Sequence, residues 1–232
     1  MRHPLTDSYR RGRERLLALG ATLTDGGSVI TTACPDWSVK DVFAHLAGIS
    51  TDIINGNTEG AATEAWADGH VADRRERGLD DVLAEWAESG AAVSEVMESM
   101  GEVFPFQLFV DQYTHEWDIR AAIGPDAAAR PDLATYEEYF DTFVDAIGTD
   151  GERRGLDRLE LDVDGRRLIV GTGADVGTLP LSLFEFSRLT MGRRSTTQIA
   201  ALPWPMADID GHVDVIVRWS VNAVDVVDPV VG

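Results

Sequence analysis

Apolar positions recur at helical spacing over most of the first 150 residues and then give way to short alternating runs. Tyr9, Leu16, Leu19 and Leu23 mark a first helix over residues 7–23, with Arg10, Arg11, Arg13 and Arg15 as a basic outer face and Asp25-Gly26-Gly27 at its end. A loop closing in Pro35-Asp36-Trp37 follows. Ser38 and Asp41 then form a capping box that opens a helix running to about Asn55. Its buried stripe is Val39, Val42, Phe43, Leu46, Ile49 and Ile53. His45 projects at the margin, where periodicity alone makes it a boundary residue. Residues 57–70, polar and rich in Gly and Ala, are expected to form a loop over one end of the helices, with His70 in it. Helical period returns from Leu79 to Met100. There Leu79, Val82, Leu83, Trp86, Val93, Met97 and Met100 face inward, and Asp80, Asp81, Glu85, Glu88 and Glu95 face outward.

The stretch from Phe106 to Gly124 has no interior Gly or Pro and stops at Gly124-Pro125, as a helix does. At 100° per residue, Leu108, Asp111, His115, Asp118, Ile119 and Ala122 fall within one stripe of roughly 100°. Two carboxylates and an imidazole on a core-facing stripe are costly to bury unless each is paired or bound to a cation. Asp111 and His115 stand at i and i+4, so their side chains can converge on one ion. The pattern therefore predicts a metal site inside a helical bundle.

A fifth helix is expected over Asp132 to Ile147, carrying Tyr136, Tyr139, Phe140 and Phe143. The texture then changes. Leu159–Val163 and Arg166–Val170 flank Asp164-Gly165, the pattern of a β-hairpin with a two-residue turn. A helix over residues 181–191 ends at Gly192. Arg193-Arg194-Ser195 leads into a short helical piece, and the alternation in His212–Val217 reads as a strand. The fold class expected is α+β: an N-terminal up-and-down four-helix bundle over residues 1–150 and a small α+β domain over residues 151–232.

Composition narrows the function. The formal charge of −20 argues against nucleic acid as a partner, since phosphates would be repelled. No apolar run reaches membrane-spanning length, and the N-terminus lacks a signal-peptide core, so the expected location is the cytoplasm with no membrane contact. The basic residues are arginines apart from Lys40. The one cysteine, Cys34, excludes an internal disulfide and a Cys-rich zinc site. With no His or acid beside it in sequence it reads as inert.

The run Trp37-Ser38-Val39-Lys40-Asp41-Val42-Phe43-Ala44-His45-Leu46, followed by an acid-x-x-x-His ending in Asp118-Ile119-Arg120, resembles the mycothiol-dependent maleylpyruvate isomerase family. The resemblance extends to Gly192-Arg193-Arg194-Ser195 ahead of a short helix. It implies a DinB-like N-terminal bundle that binds a divalent metal, zinc, through His45, Asp111 and His115, with mycothiol as thiol cosubstrate. The family has Glu where Asp111 stands, so the arm here is shorter by one methylene. Two imidazoles and one carboxylate leave a coordination position open, the arrangement of catalytic zinc. A thiol entering there loses its proton.

The function expected is a zinc-dependent enzyme that activates mycothiol to isomerise maleylpyruvate-like substrates or to transfer sulfur to an electrophile. Its partners are then a small-molecule thiol and an electrophilic, anionic substrate; oligomeric state stays open between monomer and homodimer. Arg193 and Arg194 are the candidates to bind that anion, guanidinium being suited to bidentate capture of carboxylate. Asp118 is assigned to orienting His115, and Arg120 to a structural role. Two alternatives stand beside this reading. One is a metal-dependent hydrolase with Asp118 or Glu116 as general base. The other is a non-catalytic metal-binding or ligand-binding stress protein.

Overall fold

The computed structural model describes residues 4–99, 103–124 and 133–228. It is mostly helical with one three-stranded sheet, an α+β fold. The chain divides into two units, residues 1–130 with 228–232 and residues 131–227. Among the described residues, no helix is long and apolar enough to cross a membrane.

The first unit contains α1 (Pro4–Gly20), α2 (Val39–Asn55), α3 (Glu64–Asp73), α4 (Leu79–Ser99) and α5 (Val103–Ile123). α1 packs on α4 and α5, and α2 on α3, α4 and α5. The start of α2 is fixed by the expected capping box. Ser38 Oγ accepts from the Asp41 amide at 3.2 Å, and the Asp41 carboxylate accepts from the Ser38 amide at 2.9 Å. The helix ends on Gly56 at φ 74°, a conformation glycine takes without steric cost. Leu16, Val42, Phe43, Leu46, Leu83, Trp86 and Ile119 interlock between these helices, and Tyr9, Ile49, Val93, Met97 and Leu108 form a second cluster.

Several expectations are corrected here. Residues 57–70 are not all loop: Thr63 Oγ1 caps α3, whose fully buried residues are His70 and Val71, with Trp66 partly buried beside them. An apolar stripe that short left no period to detect. The basic face of α1 is not all outward, since Arg13 is buried and donates to Ser94 Oγ at 3.2 Å, and Arg15 reaches inward to Glu116. Glu85 is not a solvated acid; Arg74, Arg77 and Thr51 hold its carboxylate. The α5 helix is buried on every face from Gln112 to Arg120, well beyond the expected stripe.

The second unit opens with α6 (Leu133–Arg153), which packs on β2, α7 and α9. The expected boundary at residue 150 left this helix with the first unit; its packing is why the division falls ahead of it. β1 (Arg158–Val163) and β2 (Arg166–Val170) form the expected antiparallel hairpin, with Asp164 at φ 50° and Gly165 at φ 86°, as a type I′ turn requires. A strand that the sequence pattern does not announce, β3 (Asp175–Leu181), lies parallel to β1 on its other edge, giving the order β2-β1-β3. Leu159, Leu161, Val163, Leu168, Val170 and Leu179 fill the buried face. The remaining elements are α7 (Leu183–Thr190), α8 (Thr196–Ala200) and α9 (Asp210–Ile216).

Residues 212–217, expected as a strand, belong largely to α9. Their β-branched alternation is outweighed by burial at helical spacing of His212, Val215 and Ile216, with His212 Nε2 bonded to the Asp157 carbonyl at 2.9 Å. Met100 and Asp132, and the side chains of Tyr136 and Tyr139, lie outside the described residues.

Candidate metal centre

α2 and α5 pack together, and this contact brings His45 to the i, i+4 pair on α5. Nε2 of His45 and Nε2 of His115 each lie 3.7 Å from the same oxygen, Asp111 Oδ1. That is too long for a hydrogen bond. It is close to the edge of a tetrahedral site, since bonds of about 2.0–2.2 Å hold neighbouring donors roughly 3.3–3.6 Å apart. The donor atoms of all three lie within 4.8 Å of one another. The residues fit a divalent cation of zinc's size and preference for nitrogen and oxygen. The shorter aspartate arm reaches the site without difficulty.

Both imidazoles are buried, with side chains 7% and 6% exposed, whereas the Asp111 side chain is 32% exposed, so the cluster faces solvent on the carboxylate side. Burial lowers the pKa of His45, against the upward pull of Asp111, which favours the neutral imidazole that ligates metals. His115 Nδ1 donates to Asp118 Oδ2 at 3.1 Å, so the lone pair of that ring is at Nε2, toward Asp111.

The neighbouring acid has a different fate. Glu116 is completely buried and takes two guanidinium groups: Arg15 through Nε at 3.0 Å and Nη2 at 2.8 Å, and Arg120 through Nε at 3.1 Å and Nη2 at 2.9 Å. A carboxylate so occupied is a structural anchor for α1 on α5 and is poorly placed to act as a base.

Three residues at the centre went unassigned from the sequence. Trp37 lies over both imidazoles, its ring 5.1 Å from His45 and stacked at 6.2 Å on His115. The loop before α2 holds it there through the Ile30–Ser38 bridge and the Thr31 amide bond to the Trp37 carbonyl at 3.0 Å. His70 contacts His45 from its far side and is itself bonded to Asp52. A fourth residue, Cys34, is not remote: it lies within metal-ligand distance of His115 and Asp118, because that same loop folds back over α5. Sequence adjacency could not show this.

Arg193 and Arg194 belong to the second unit. Arg194 is buried and binds Glu185 in bidentate fashion at 2.6 and 2.7 Å, while Arg193 Nη1 donates to the Met191 carbonyl at 3.1 Å.

Comparison with known proteins gives this site a context. A crystal structure of a histidine-to-alanine mutant of mycothiol-dependent maleylpyruvate isomerase superposes with a TM-score of 0.55 at 14% identity, covering 88% of this chain and 97% of that one. At that identity the likeness is one of fold. No curated protein sequence matches the chain. The family model of the mycothiol maleylpyruvate isomerase N-terminal domain matches residues 9–124, a span that contains His45, Asp111, His115, Asp118 and the loop bearing Trp37. The chain belongs to the mycothiol maleylpyruvate isomerase N-terminal domain family.

Proposed function

We propose that the chain is a cytoplasmic zinc-dependent enzyme that uses mycothiol, either to isomerise a maleylpyruvate-like substrate or to transfer sulfur to a related electrophile. In this reading the first unit is an up-and-down four-helix bundle with α3 as an addition, and His45, Asp111 and His115 are the zinc ligands. The observation that carries it is the convergence of two imidazole nitrogens on one carboxylate oxygen at 3.7 Å each. Held by His45, Asp111 and His115, the dication would keep a ligating thiol ionised at neutral pH, the form able to add reversibly to an activated double bond.

The chain's own residues supply the rest. His45 and His115 present lone pairs, Asp111 neutralises one charge, and Asp118 fixes the His115 tautomer. Trp37 shields the imidazoles from bulk water on one side. Arg193 and Arg194 are assigned, on sequence grounds, to the carboxylates of an anionic substrate. The hydrolase alternative loses its bases: Glu116 is locked between two arginines and Asp118 is bonded to His115.

The test is metal analysis and thiol-dependent turnover of His115→Ala beside the unaltered protein. The expected outcome is loss of both stoichiometric zinc and activity. Undiminished mycothiol-dependent turnover in the metal-free variant overturns the proposal, and turnover without any thiol transfers it to the hydrolase class.

A further inference from the structure

His45 has two ring nitrogens, and only Nε2 faces the metal cluster. Its Nδ1 lies 3.2 Å from Nδ1 of His70, and His70 Nε2 lies 3.0 Å from Asp52 Oδ2. Starting from the carboxylate, the protons of this chain have one consistent placement. Asp52 accepts, so His70 carries its proton on Nε2; neutral His70 then accepts at Nδ1; His45 therefore donates from Nδ1 and keeps its lone pair at Nε2. We infer that Asp52 and His70 are positioning residues that hold His45 as a metal ligand in the required tautomer and orientation, an indirect counterpart of the Asp118–His115 pair. The inference rests on the zinc reading above. The opposite proton placement would leave an N–H, not a lone pair, at His45 Nε2, and a ring in that state cannot ligate.

The surroundings of His70 are built to aim it. Trp66 meets the ring edge-on with centroids 4.2 Å apart. A Cβ on Gly48 would come within 2.3 Å of His70 Cγ, so the missing side chain at this position in α2 is what lets the ring lie against the helix. Arg74 Nη1 holds the His70 carbonyl at 3.1 Å, and Arg74 is itself bound to Glu85 on α4, which also accepts from Thr51 on α2 at 2.7 Å. α2 and α4 therefore clamp the end of α3 that carries His70. The purpose of α3 follows, because without it Nδ1 of His45 has no such partner.

The experiment is zinc titration of the metal-free full chain against a chromogenic chelator, together with the visible spectrum of the Co2+-substituted protein. His70→Leu, Asp52→Asn and Gly48→Ala are expected to weaken zinc binding about 10–100-fold, the usual cost of losing a ligand's outer partner. They should also shift the Co2+ bands. Gly48→Ala is informative because it leaves His70 chemically intact and replaces a mid-helix glycine by the best helix former. His70→Gln, whose amide can accept from His45 and donate to Asp52, should recover most of the affinity that His70→Leu loses. His45→Ala serves as the reference. If it binds zinc like the unaltered chain, the metal reading itself fails. If it loses zinc while His70→Leu, Asp52→Asn and Gly48→Ala keep the original affinity, the zinc reading stands and the positioning role is wrong. Should His70→Leu not fold by circular dichroism, the other two variants decide on the same criterion.

Discussion

Asp111 carries the only formal charge among the three proposed ligands and the only well-exposed side chain, so it bears both the electrostatics and the accessible side of the centre. Replacing it by Asn keeps the shape and removes the charge. Asp111→Asn is expected to weaken zinc binding by more than the about 10–100-fold that follows loss of an outer partner, with the fold intact by circular dichroism. Chelator competition measures it, and unchanged affinity would exclude Asp111 as a ligand. At this scale the sequence showed Asp111 and His115 plainly, because an i, i+4 pair needs nothing beyond one helix. His45 was at the margin of its stripe, and only the resemblance promoted it. His70 was invisible: it meets His45 across 25 positions, from a helix too short and too rich in Gly and Ala to announce itself.

Elements join here through buried charge as much as through apolar packing. Glu116 on α5 binds Arg15 on α1 and Arg120 one turn along its own helix, with Glu116 and Arg120 almost wholly withdrawn from water. Removing the shared anion takes its carboxylate away from a buried guanidinium and unties α1 from α5. Glu116→Ala is therefore expected to destabilise the chain by about 3–5 kcal/mol in urea unfolding, far more than loss of a surface pair. Glu85 does the same for α2, α3 and α4. Burial pushes its carboxyl upward, but bonds from Arg74, Thr51 and Arg77 outweigh that and hold it at about 2. Because the folded value is below the ordinary 4.5, the stabilisation is complete above pH 4.5 and fades as the pH falls from there towards about 2. Glu85→Gln should flatten the acid limb of a stability-against-pH curve over that window, and an acid limb identical to that of the unaltered chain would show the clamp to be idle. Elements with their own punctuation were legible: the Ser38–Asp41 box and the Asp164-Gly165 turn stand where local chemistry placed them. β3 and α9 were not, since a strand added parallel across an edge, and a helix of β-branched residues, are decided by what they pack on.

The whole molecule has a formal charge of −20, which draws dications towards it and repels the anions it is proposed to use. Two neutral imidazoles and one carboxylate change sign locally when a dication binds, from one negative charge to one positive. A bound metal would therefore both relieve the like-charge repulsion near Asp111 and make a landing place for an anionic thiol or substrate. Since the unfolded chain cannot assemble residues 45, 111 and 115, zinc binding must add to folding stability. At free zinc about 100-fold above the dissociation constant the gain is about 2.7 kcal/mol, which for a chain of this size corresponds to a rise in Tm of roughly 5–11 °C. Differential scanning calorimetry should show that rise, its reversal by chelator, and its absence in His45→Ala and Asp111→Asn. An acidic surface can also gather zinc loosely. A rise that persists undiminished in both variants would assign the stabilisation to those scattered carboxylates and take the metal away from α2 and α5.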